Sequence, residues 1–171
     1  GGVTGIAFNC DSPEGQTPRD PSEMTVSDRY IEDIMQSEGY KNERYKDSAG
    51  LWTIGIGHLI KPGENYTYLT DEQVMNLYRQ DNAVAEADVK RCVSAPLTQN
   101  QYEALVSLSF NLGGPKFCNS TLVSKLNSGD YDGAMQEFGE WNKVTQNGRL
   151  VVSQGLNNRR QREAALFGAC Q

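Results

Sequence analysis

Glu38, Asp47 and Thr53 stand at a spacing that suits acid–base chemistry, with eight residues between the first pair and five between the second. Glycoside hydrolysis needs an acid to protonate the leaving oxygen and a carboxylate to activate water or attack the sugar. A hydroxyl can hold that water in line because it both donates and accepts. Glu38 is the acid in this reading. Tyr30, Ile31, Ile34 and Met35 recur at helical spacing and Glu38 continues their stripe, so part burial is expected, which favours the protonated form that a general acid must carry. Asp47, at a turn, is expected to stay ionised. A water held between Asp47 and Thr53 is the arrangement of an inverting enzyme.

Local elements must position these groups. Thr25 with Asp28 suits a helix start, and Gly39 suits its end, because glycine terminates a helix without steric cost. Two extended runs are predicted, Arg44 to Asp47 and Thr53 to His58, joined by the turn signal Ser48-Ala49-Gly50. Acidic residues at such places also suit a plain solvated surface. The glycines weigh against that, since Gly50, Gly55 and Gly57 fall within eight residues and glycine weakens a strand unless something approaches closely. A hairpin with alternate glycines would expose its backbone along a groove for an extended polar ligand.

The block TIGIGH from Thr53 to His58, the tripeptide YKD ending at Asp47 and the Glu38–Asp47–Thr53 spacing together resemble the phage-type lysozymes, the endolysin muramidases of glycoside hydrolase family 24. The resemblance continues through LTQNQYEALVSLSFNLG and GLNNRRQREAALF and covers roughly Val26 to Phe167. It implies an α+β lysozyme-like fold: a small β-hairpin lobe, a larger helical lobe, a long helix joining them and a cleft between. It also implies the same roles for Glu38, Asp47 and Thr53, and peptidoglycan as substrate, cut at the β-1,4 bond between N-acetylmuramic acid and N-acetylglucosamine. No metal or cofactor is required. A lytic transglycosylase or a chitinase on the same scaffold, and a non-catalytic glycan-binding module, stay open beside it. A transglycosylase uses no water-activating Asp, and a binding module would have lost Glu38 or Asp47.

Sugar-binding candidates come from the helical part. Phe110 and Asn111 sit at a predicted helix end, and Ser120, Thr121, Trp141 and Asn142 follow as weaker choices, with core or cap as their plain alternative and core favoured for Trp141. His58, the one histidine, is expected to make a structural ion pair with Asp81, which lies in an Arg-Gln-Asp run similar to the family's pattern. Arg159, Arg160 and Arg162 on the last helix are expected to be solvated, unless one turns inward to pair with Glu38; Arg160 is the structural candidate.

Residues 1–24 are read as a linker or N-terminal extension and 25–171 as one catalytic domain. The start without Met suggests an excised or processed form, carried by or fused to a larger delivery protein. Tail lysozyme, secreted antibacterial effector and endolysin all fit, and a monomer is expected. Helices are predicted from capping boxes at Thr70–Gln73 and Thr98–Gln101, the first running to about Cys92 as a strut. Shorter helices are predicted from Asn119 or Ser120 and from Asp130. A polar, turn-prone stretch from Lys143 to Gln154 includes Asn147-Gly148, and a last helix covers Leu156 to Phe167.

The net charge of −6 disfavours a nucleic-acid partner and would not attract the protein to a polyanionic wall, though local patches survive an acidic total. No segment reads as membrane-spanning. The four cysteines, Cys10, Cys92, Cys118 and Cys170, lack metal-type spacing. Free thiols are one reading. Disulfides, suited to the periplasm, are the other, with Cys10–Cys170 ranked first and Cys92–Cys118 second.

Overall fold

The structure, a computed structural model, describes residues 17–169. The chain forms two compact units, Val26–Ala83 and a second made of the described residues up to Thr25 together with those from Val84. The Cys10–Cys170 pairing lies outside the described residues.

The first unit begins with helix α1 (Asp28–Glu38), whose N-cap is Ser27, accepting from the Tyr30 amide, in place of the expected Thr25. Gly39 ends the helix at φ 77°, a conformation that costs glycine little. A three-stranded antiparallel sheet follows, in the order β1 (Lys41–Lys46), β2 (Trp52–Gly55), β3 (His58–Leu59). The TIGIGH block is therefore not one strand. Gly55 and Gly57 adopt φ of 66° and 69° and turn the chain, so that Ile54 pairs with His58. A Cβ on Gly55 would make only an ordinary contact with Val74, at 3.6 Å, so it is the positive φ of the turn that favours glycine here.

Helix α2 (Asp71–Asp81) starts at the predicted capping box of Thr70 and Gln73, and Leu69 and Val74, on either side of it, are both buried. The strut expected to run on to Cys92 is two helices, α2 and α3 (Ala83–Cys92). Asn82 lies between them with its buried Nδ2 donating to the Tyr78 carbonyl at 2.8 Å. The Asn82 backbone N–H reaches the same carbonyl at 3.0 Å, so the Tyr78 oxygen is shared between the two donors where the run is interrupted. The core of this unit is Ile31, Met35, Ile54, Val74, Leu77 and Tyr78, all buried. On its surface Trp52, 43% exposed, carries the Arg44 guanidinium 4.5 Å and the Lys46 ammonium 5.2 Å from its ring. These are cation–π contacts and form a basic patch on an acidic chain.

In the second unit the described chain is paired from Arg19, ahead of the expected end of the linker. Arg19 and Leu97 exchange backbone hydrogen bonds at 2.8 Å, and the Arg19 guanidinium donates to Gln99 at 2.7 Å. Helix α4 (Gln99–Leu112) opens with the predicted Thr98–Gln101 capping box and buries Tyr102, Ala104, Leu105, Val106 and Leu108. Helices α5 (Gly114–Cys118), α6 (Thr121–Asn127) and α7 (Tyr131–Glu137) are short. Ser120 and Asp130 cap the last two. Helix α8 (Gln154–Gly168) packs along α4, and Phe167 meets Phe138 at 5.5 Å between ring centres.

One feature here departs from the sequence reading, and one expected bond is present. Lys143 to Gln154 is mostly a second hairpin, β4 (Lys143–Gln146) and β5 (Arg149–Val152), turned by Asn147 and Gly148 at φ of 52° and 78°. Two successive positive φ values mark the turn type that matches the strand twist. The Cys92–Cys118 disulfide, ranked second, is present with the Cα atoms 5.5 Å apart. It forms because α5 folds against α3: a Cβ on Gly114 would meet the Asp88 carboxylate at 2.5 Å, and Cys118 Sγ lies 3.9 Å from the Asp88 carbonyl.

Candidate active site

All three candidate catalytic residues belong to the Val26–Ala83 unit. Glu38 is the last residue of α1. It is exposed, contrary to the expected part burial, because the apolar stripe of the helix ends with the buried Met35 one turn earlier.

Asp47 follows the last residue of β1 and builds the turn to β2. Its Oδ1 accepts from the Ala49 and Leu51 amides, each at 2.9 Å. Its own amide donates to the Leu51 carbonyl at 2.9 Å, and its carbonyl accepts from Gly50 at 2.9 Å. This is the self-capping turn that aspartate favours. It fixes the carboxylate's rotamer and commits one oxygen, so that among the described residues Oδ2 has no hydrogen-bond partner.

Thr53 is 2% exposed. Its register partners across the sheet are Tyr45 and Leu59, and its hydroxyl donates to the Leu51 carbonyl at 3.1 Å. The proton is thus committed and the oxygen's remaining capacity is that of an acceptor. Leu51 joins the two candidates: its amide holds Asp47 and its carbonyl holds Thr53.

His58 is buried between two carboxylates. Nδ1 lies 2.8 Å from Asp81, the predicted partner, and Nε2 lies 2.9 Å from Glu64. Glu64 was not expected. It comes from the loop after β3, where it also accepts from the Lys61 amide at 2.8 Å, and the sequence offers only a turn signal there. Burial acts against the charged imidazolium, but the hydrogen bonds to Glu64 and Asp81 outweigh it and raise the His58 pKa. Glu64 is lowered by the Lys61 amide first and then by His58.

The remaining candidates lie in the second unit. Phe110, 43% exposed, and Asn111 are in the last turn of α4. Ser120 is buried, and its hydroxyl serves the cap of α6, accepting from Val123 at 3.2 Å and donating to Phe117 at 2.6 Å. Asn142 donates to Asn157 at 3.2 Å, and its carbonyl receives the Ser153 amide at the base of the second hairpin at 2.8 Å. Trp141, expected in the core, is half-buried. It lines a surface depression of about 440 Å³ with Pro115, Lys116, Asn119, Ser120 and Thr121.

Arg160 is buried, contrary to the expected solvated face, and it pairs with Glu163, one turn on along the same helix. Nε and Nη2 reach the two Glu163 oxygens at 2.5 and 2.9 Å, and Ser107 donates to Glu163 at 2.5 Å. Burial raises the Glu163 pKa, against the pull of Arg160 and Ser107.

Comparison with known proteins places this architecture. The chain is similar to the solved muramidase domain of SpmX from Asticaccaulis excentricus, at 32% identity and a TM-score of 0.76 over 86% of this chain and 99% of that one. It is also similar to the endolysin of Escherichia coli O157:H7 phage FAHEc1, at 34% identity and a TM-score of 0.78 over 87% and 96%. The fold is lysozyme-like α+β. Among sequence relatives, the endolysin of Acyrthosiphon pisum secondary endosymbiont phage 1 is 42% identical over 84% of this chain and 98% of its own length. The phage lysozyme profile matches residues 35–163, a span that holds Glu38, Asp47 and Thr53. The chain belongs to the phage lysozyme family.

Proposed function

We propose that this lysozyme-type glycosidase, a peptidoglycan muramidase, hydrolyses the β-1,4 bond between N-acetylmuramic acid and N-acetylglucosamine with Glu38 as acid and a water held by Asp47 and Thr53. The observation that carries the reading is the division of labour around Leu51. Asp47 Oδ1 is taken by backbone amides while Oδ2 is not, and the Thr53 proton is given to the Leu51 carbonyl. A water there would donate one O–H to Thr53 Oγ1 and the other to Asp47 Oδ2, which leaves its lone pair for the anomeric carbon.

In the reaction Glu38 gives its proton to the glycosidic oxygen as the C1–O bond breaks. Water adds to C1 from the opposite face and loses a proton to Asp47, so the product anomer is inverted. Glu38 becomes the carboxylate and Asp47 the acid until both exchange with solvent. Because Glu38 is exposed in the free protein, the covering a general acid needs comes from the bound glycan. The site of action is the bacterial cell wall, and within it we favour the periplasm, since the Cys92–Cys118 bond suits an oxidising compartment. Delivery follows phage lysis or secretion.

An NMR time course of glycan cleavage tests the chemistry. The first product should carry the inverted, α-configured reducing end, and Asp47→Asn should remove most of the rate. Initial appearance of the β-anomer would reject the water-activating role of Asp47.

A further inference from the structure

The basic patch on β1 and β2 belongs wholly to the Val26–Ala83 unit, and the chemistry assigned above leaves it without a task. Lys46 and Trp52 are register partners, and the Arg44 and Lys46 cations lie 4.5 and 5.2 Å from the centre of the Trp52 ring. All three residues are exposed, as is Leu51 beside them. Among the described residues neither cation pairs with a carboxylate, Glu43 next to Arg44 included. A cation held by a ring keeps donors that the ring cannot satisfy, and the fork of a guanidinium matches a carboxylate.

The patch and Thr53 share strands but not a face. Successive strand residues point to opposite sides. Thr53 follows Trp52, and its register partner Tyr45 lies between Arg44 and Lys46. A glycan strand lying against Thr53 therefore leaves the Trp52 ring uncovered. The wall holds a second component, the acidic peptides that hang from its glycan strands, and a cross-linked mesh presents them on every side of an enzyme working within it. On a chain of net charge −6 two unpaired cations make a local spot of the complementary sign. Trp52 and Leu51 offer apolar surface to the methyl and methylene groups that such peptides carry between their carboxylates. A lipid surface suits the patch less, because membrane binding scales with the apolar area inserted and two side chains supply little.

Resting on the muramidase reading, we propose that Arg44, Lys46 and Trp52 form a second wall-binding surface, on the sheet face opposite Thr53, which takes the carboxylates of a peptidoglycan stem peptide. Its role is retention. The surface holds an acidic chain at an insoluble polymer between cuts and touches no reacting atom. Exposed charge contacts are weak singly, so the hold is loose enough to release as the enzyme moves on.

Two measurements separate this surface from the catalytic residues. In an NMR titration of wild type, the soluble peptide L-Ala-γ-D-Glu-meso-diaminopimelate-D-Ala should shift the Trp52 indole N–H and the Arg44 Nε–H, and the same peptide with its carboxylates amidated should not. Equal shifts with both peptides, or shifts with neither, overturn the proposal. So does a response of these signals to phosphatidylglycerol vesicles and not to the peptide. In a pelleting assay on purified insoluble peptidoglycan, with Glu38→Gln in every protein so that the polymer stays intact, Arg44→Gln with Lys46→Gln should bind about fivefold more weakly than the parent, the scale of two exposed charge contacts. High salt should close the gap. With Glu38 restored, the double variant should cut peptide-free glycan strands at the wild-type kcat/KM and melt at the wild-type temperature. Equal binding to the insoluble polymer, or an equal loss on peptide-free strands, overturns the proposal. Should wild type release no reducing ends from those strands, the muramidase reading falls, while the peptide titration still decides this surface.

Discussion

His58 and Asp81 meet at 2.8 Å, from the start of β3 to the end of α2. The pair ties the sheet of the Val26–Ala83 unit to its helix. With Glu64 on the other ring nitrogen, both nitrogens face acceptors, and only the doubly protonated ring can donate from each.

The sign of the pH dependence follows. The His58 pKa is raised in the fold, so its contribution is full below the unfolded value of 6.5 and is lost as pH rises through the folded one. The Glu64 pKa is lowered, so its contribution is present above its unfolded value and is lost as pH falls through the folded one. Asp81→Asn should therefore destabilise by about 1–2 kcal/mol near pH 5.5 and by clearly less near pH 9. Urea unfolding at the two pH values checks this, and an equal loss at both contradicts the ion pair.

The Arg160–Glu163 pair is buried, and removing one partner leaves a charge without compensation. Glu163→Ala should cost about 3–5 kcal/mol, whereas Gln161→Ala, exposed on the same helix, should cost under about 0.5 kcal/mol. Thermal unfolding of the two variants gives the comparison. A mild Glu163→Ala would mean that the network is not held by charge.

The Cys92–Cys118 bond closes a sequence separation of 26. By the chain-entropy relation it should contribute about 3.5 kcal/mol. Cys92→Ser with Cys118→Ser should lower the urea midpoint by a matching amount. Mass spectrometry of an unreduced digest should find the bond, and the same digest reads Cys10 and Cys170.

What could be read from the sequence was what depends on near neighbours. The capping boxes at Thr70 and Thr98, the helix end at Gly39 and the Asn147-Gly148 turn are each set by residues within one turn. His58–Asp81 was reached through the resemblance. Features set by distant partners were not legible. Glu64 reaches His58 only because its loop folds back. The burial of Arg160 depends on Asn111 and Trp141 arriving from other elements. The second hairpin was missed because β4 and β5 are almost wholly exposed, so no alternation of apolar and polar residues marks them. Glu38 was expected to share the burial of its helical stripe, but helical register gives a direction and not the depth of cover.

The central claim is hydrolysis of the muramic acid–glucosamine bond by Glu38 with water as acceptor. Its most direct test is mass spectrometry of the glycan ends released from purified peptidoglycan by wild type and by Glu38→Gln. Wild type should produce reducing N-acetylmuramic acid ends and Glu38→Gln should produce none above background while keeping the wild-type melting temperature. Ends in the 1,6-anhydro form, or reducing N-acetylglucosamine ends, or cleavage by Glu38→Gln at the wild-type rate, would contradict the account.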